Sequence, residues 1–106
     1  MAKYLIVASY TADGAKGLLK EGGTKRRQAA EQAIKSAGGK LEAFYFAFGE
    51  NDAYVIVDAP DHSTIAAASV AINASGAVHS KTVVLLSPEE IDQATKKSVT
   101  YRAPGH

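Results

Sequence analysis

Phe48-Gly49-Glu50-Asn51-Asp52-Ala53-Tyr54-Val55-Ile56-Val57-Asp58-Ala59-Pro60-Asp61 is the stretch that organises this chain. Ala53 to Asp58 is β-branched and aromatic, so it reads as a strand. The four residues Gly49 to Asp52 before it are of hairpin length and turn-forming type. They join it to a preceding strand, Leu41 to Phe48. Gly49 is read as the residue that supplies a positive φ. Pro60-Asp61 ends the strand, and either Asp61 or Ser63 is placed to cap a following helix. Strand, tight turn, strand and helix start are therefore contiguous.

The remaining elements follow outward from that hairpin. Lys3 to Tyr10 reads as a strand bounded by Thr11-Ala12-Asp13-Gly14. Ala15 to Lys20 reads as a short helical turn, broken by Gly22-Gly23. Thr24 is the expected N-cap of a helix over Lys25 to Ala37, with Ala29, Ala30, Ala33, Ile34 and Ala37 forming one stripe. Gly38-Gly39 stops it. Thr64 to Ser75 is an alanine-rich helix with Ile65, Ala68, Ser69 and Ile72 on one face, and Gly76 ends it. Val78 to Leu86 is the last strand. Ser87-Pro88-Glu89-Glu90 is a capping box opening a short helix to Lys97. The order is βαββαβ plus a C-terminal helix, an α+β, ferredoxin-like arrangement with a four-stranded antiparallel sheet. One domain is expected over residues 1–97, with an extended tail over 98–106.

Both faces of that sheet read as apolar. In the second strand Leu41, Ala43, Tyr45 and Ala47 are expected on one side and Phe44, Phe46 and Phe48 on the other. Val55 and Val57 oppose Tyr54 and Ile56, and Leu5 and Val7 oppose Tyr4, Ile6 and Tyr10. Two helices cover one face only. Leaving about 400 Å² of apolar surface wet forgoes about 10 kcal/mol, and a patch of that size marks an interface. The expected occupant is a second copy, related by a twofold axis.

The 106 residues fit one domain that buries roughly 65% of its unfolded surface. Twelve basic and eleven acidic residues nearly cancel, which gives no footprint for nucleic acid or a membrane surface. The absence of cysteine excludes disulfides, thiolate nucleophiles and thiolate metal sites, and fits a reducing, cytoplasmic location. No run reaches the roughly 20 apolar residues of a membrane helix, and Tyr4 to Ala8 is too short for a signal core.

Few residues carry chemistry. Asp52 beside the turn is a candidate general base or histidine-orienting group, although an aspartate there also bonds backbone N–H groups. His79, with Lys81 on its face, is a candidate proton shuttle, or a strand-end histidine half in solvent. His62 is expected to be exposed at a helix start, and His106 is terminal. Three scattered histidines have no ligand spacing, so neither a metal nor a cofactor is expected. Tyr4, Tyr10, Tyr45 and Tyr54 serve as core residues or as the wall of an apolar pocket. Gly22-Gly23-Thr24-Lys25-Arg26-Arg27 lacks the phosphate-loop spacing and reads as a solvated charged turn. No serine lies in a nucleophile-elbow context.

Tyr4-Leu5, Ser9-Tyr10-Thr11, Gly14 to Leu19, Leu41 to Phe46 and the stretch through Pro60-Asp61 together resemble the GYD-domain family, small bacterial proteins grouped with the dimeric α/β barrels. Gly49 and Asp52 stand at the glycine and aspartate of the family's pattern. Asn51 stands where a tyrosine is usual, so no role of that ring carries over. The resemblance implies a barrel dimer and no particular reaction. Three readings follow. The first is a homo-oligomeric module that binds a small apolar molecule with a polar end, ringed by Tyr10, Tyr45, Asp52 and His79. The second is a cofactor-free oxygenase or isomerase with His79 or Asp52 as base. The third is a structural assembly protein without a pocket.

Overall fold

The computed structural model describes residues 2–106. Its elements are β1 (Ala2–Tyr10), α1 (Ala12–Glu21), α2 (Gly23–Ala37), β2 (Lys40–Phe46), β3 (Ala53–Ala59), α3 (His62–Ala74), β4 (Val78–Leu85) and α4 (Pro88–Thr95). The strands form one four-stranded sheet in the order β2-β3-β1-β4, with every neighbouring pair antiparallel. This is the ferredoxin-like arrangement of an α+β domain.

The helix ends show where local chemistry decides. Asp61, rather than Ser63, caps α3 by accepting from the Thr64 backbone N–H. Ser87 and Glu90 form the reciprocal capping box of α4. Gly38 closes α2 in the left-handed conformation at φ 102°. Gly49 has φ 148°.

Two expectations about the first helical region are corrected. The segment after β1 is a full ten-residue helix, not a short turn, because Thr11 caps it through the Gly14 N–H. Thr24 lies inside α2, whose N-cap is Gly22. With φ 84°, Gly22 bends the chain between α1 and α2, so no side-chain cap is needed to separate them.

The core lies between the sheet and α2 and α3. Tyr4, Ile6, Val55, Val57 and Ala59 come from the central strands, Ile34 from α2, and Ile65 and Ala68 from α3. The small residues of α3 let it pack close to β4, where Ser69 Oγ meets Thr82 Oγ1 at 3.1 Å. Asn73 secures its last turn by accepting from the Ser80 N–H at 2.8 Å.

The second strand corrects the expected faces. A β-bulge falls between Leu41 and Ala43, so Glu42 is the extra residue. Leu41 pairs with Val57 and is buried with the core, on the same side as Phe44 and Phe46. Ala43 and Tyr45 are left on the other side. Strict alternation puts Leu41 with Ala43 and Tyr45; one inserted residue reverses the parity. The strand also ends at Phe46, leaving Ala47 and Phe48 in the connection, with Phe48 fully exposed.

The face away from the helices is built in rows across the strands. Tyr45, Tyr54, Val7 and Lys81 form one row, and Ala43, Ile56, Leu5 and Val83 the next. Below them Lys3 bridges the carboxylates of Glu42 and Asp58, with Leu85 opposite. These pairings hold the Lys3 ammonium above its ordinary pKa, the Glu42 bond first and the Asp58 bond second. Tyr45 is 69% exposed and Val83 46%.

The C-terminal segment stands apart from this body. No residue of α4 is buried, and every residue from Pro88 to His106 is exposed. The radius of gyration is 16.9 Å, against about 13 Å for a compact domain of this length. Leu86, Ile91, Val99 and Tyr101 are its exposed apolar side chains.

Candidate functional site

Two concavities meet at the end of β1, and Tyr10 lines both. The inner one is a cavity of about 80 Å³ between the sheet and α2 and α3, walled by Ile6, Ala30, Ile34, Phe44, Val55 and Ile72. Its polar lining comes from Tyr10, Arg26 and Ser80. The outer one is an open cleft of about 610 Å³ under the β2–β3 connection, lined by Ala15, Leu18, Gly23, Phe46, Phe48 and Asp52 as well as Tyr10.

Local structure explains how these groups converge. Asp52 is tied at three points: its N–H donates to Ala8 O at 2.9 Å, its carbonyl accepts from Ala47 N at 2.8 Å, and its carboxylate accepts from Tyr10 N at 2.8 Å. It therefore clamps the hairpin to the last residues of β1, which fixes the Tyr10 backbone. Phe46 rests on the start of α2, where a Cβ on Gly23 would lie 3.0 Å from its ring.

The sequence does not single out Arg26 as a site residue. It is the inward continuation of the α2 stripe, one turn before Ala30, and that spacing was the signal available. Ala29, counted in the stripe, is exposed instead. The Arg26 guanidinium has one ionic partner among the described residues, Glu21 at 3.9 Å.

Burial raises the Tyr10 phenol above its ordinary pKa; the Arg26 charge opposes this and the Asp52 charge adds to it. Tyr10 thus stays a hydrogen-bond donor through the neutral range. The linkage has a definite sign. The folded pKa exceeds the unfolded value near 10, so the folded state holds its proton to higher pH. That contribution to stability is complete below about pH 10 and is lost as pH rises through the folded pKa. The urea midpoint should fall above about pH 10, and Tyr10→Phe should make the fall shallower; identical slopes would show that Tyr10 is not the group responsible.

The four residues expected to ring one pocket do not come together. Tyr10 and Asp52 share the cleft on the helix side. Tyr45 pairs with Tyr54, and His79 with Ser9, on the other face of the sheet. Val78 and Ser80, which flank His79, line the inner cavity, so His79 points away from it. Asp52 and His79 are thus on opposite sides of the sheet and form no acid–base pair.

His62 is exposed, as its position implies, but its Nδ1 lies 2.6 Å from the hydroxyl of Tyr4, whose side chain is 1% exposed. The pair satisfies the one polar atom of a buried ring. Among the described residues, no group of three His, Asp or Glu side chains is arranged to hold a metal ion, and no helix is long and apolar enough to cross a membrane.

A comparison with curated proteins gives no match. The GYD domain family model matches residues 4–95, a span that runs from the buried Tyr4 through the hairpin and both covering helices to the end of α4. The chain belongs to the GYD-domain family.

Proposed function

We propose that this GYD-domain protein is a homo-oligomeric module that binds a small molecule on the helix side of its sheet. The observation that carries the reading is the meeting of an apolar cavity and an open cleft at one tyrosine, with Arg26 and Asp52 to either side. Small-molecule sites are concave, largely apolar and furnished with a few fixed polar groups, in volumes of roughly 300–1,000 Å³; the cleft falls in that range. A binding role is favoured over proton abstraction because the Asp52 carboxylate is engaged by the Tyr10 N–H, and His79 lies across the sheet. The second copy belongs on the open face, whose Leu5, Val7, Ile56, Tyr54 and Val83 have no covering element in one chain.

Native mass spectrometry of protein purified from its own host tests both parts. The expected result is a dimer or larger assembly carrying a retained small molecule. A ligand-free monomer at micromolar concentration would remove both.

The C-terminal arm fits the same assembly. An eight-residue helix is too short to be stable alone in water, and no residue of α4 is buried. Truncation after Leu86 should change the stability of a monomeric variant by less than about 0.5 kcal/mol. It should weaken self-association about tenfold or more, measured by sedimentation equilibrium. A large loss of monomer stability would instead place the arm within the domain's own packing.

A further inference from the structure

The inner cavity is largely apolar, and among the described residues Arg26 is the only ionised side chain on its wall. That guanidinium is poorly neutralised. Glu21 stands at 3.9 Å, beyond hydrogen-bond distance, and both side chains are partly exposed; such pairs hold weakly. Lys25 and Arg26 lie in the first turn of α2, which holds no acidic residue and where the helix dipole disfavours cations. An anion on Arg26 would relieve both conditions and replace the loose contact with a bidentate one.

Charge is distributed unequally about Tyr10. Arg26 lies on the cavity side, and Asp52 on the cleft side. A ligand with one negative end is therefore oriented, its anionic group drawn to Arg26 and kept from Asp52. Tyr10, which lines both concavities, carries a second donor in its hydroxyl. Room sets the remainder: a dry cavity of about 150 Å³ takes benzene, so one of about 80 Å³ takes a chain of about three or four carbons.

We infer that the cavity takes a short-chain organic monocarboxylate, its alkyl part among Ile6, Ala30, Val55 and Ile72 and its carboxylate on Arg26. This rests on the binding-module reading and names the ligand class for the same site. It also gives Glu21 a role, as the resting counter-ion that the ligand displaces.

Butyrate, butyramide and butylamine, titrated into the full chain and followed by amide chemical shifts in two-dimensional NMR, test it. Butyrate should bind at least tenfold more tightly than either neutral or cationic analogue, with shifts centred on Tyr10, Arg26 and Ala30. Arg26→Gln should abolish that preference while leaving butyramide unchanged. Glu21→Gln should tighten butyrate about two- to fivefold, by freeing the guanidinium. Equal affinities for butyrate and butyramide, or an Arg26→Gln variant that keeps the preference, would overturn the carboxylate assignment. So would a failure of all three probes to bind. A retained molecule of other chemistry in native mass spectrometry would then leave the binding-module reading standing.

Discussion

Gly14→Ala is expected to destabilise the domain by about 3 kcal/mol, while Gly17→Ala, one turn later in α1, stabilises it by up to about 1 kcal/mol. Gly14 is buried at the start of the helix, and a Cβ there would lie 2.0 Å from the carbonyl oxygen of Ala77. That oxygen cannot retreat freely, because it accepts from the Thr11 N–H at 3.0 Å. Thr11 also donates to Gly76 O at 2.9 Å and caps Gly14 N. The β1–α1 junction is thus knotted to the α3–β4 turn, and a methyl group must pry the two apart. Gly17 has nothing within 4 Å of the same position. It carries only the entropic cost of glycine in a helix. Urea denaturation of both variants checks the pair; two changes of the same sign would contradict the packing described.

Ile56→Lys is expected to convert the proposed assembly to monomers, raising its dissociation constant about 100-fold or more. Ile56 sits mid-face, between Leu5 and Ala43 in the rows of the open sheet. In a single chain a lysine there keeps its ammonium in water, so the domain still folds. Against a second sheet the charge is buried without a partner, a cost of about 3 kcal/mol or more, and each 1.4 kcal/mol is tenfold. Val70→Lys is the control: Val70 lies on the outer side of α3 and is 69% exposed. Its mass by light scattering should match the wild type. Loss of association in both variants, or in neither, would place the interface elsewhere than the open face.

The elements themselves were legible because their signals are local. Ser87, Pro88 and Glu90 dictate a helix start wherever they occur, and Gly38 and Gly49 mark positions where the backbone takes positive φ. Alternation sets Tyr4 with Ile6 in β1 and Val55 with Val57 in β3; strand pairing then joins the two sets in one layer, and the core contains all four. The site was less legible. Tyr10 and Asp52, both candidates from the sequence, do meet, but through a backbone N–H rather than through shared chemistry. Tyr45 and His79, candidates for the same ring, lie across the sheet. Arg26 is masked in the sequence by a run of charges, although its spacing to Ala30 and Ala33 puts it on the inward stripe.

What the sequence by itself determined is the four strands, the helices α2, α3 and α4, their order and the apolar character of both sheet faces, since capping, turn chemistry and side-chain period act over a few residues. Tertiary structure alone decided which residues share a face and a site. One extra residue at Glu42 reverses the parity of β2 and carries Leu41 into the core. The clamp of Asp52 on Tyr10 spans 42 positions of chain. Both depend on the register between strands far apart in sequence, and register is settled by pairing and packing across the sheet, not by the residues of one strand.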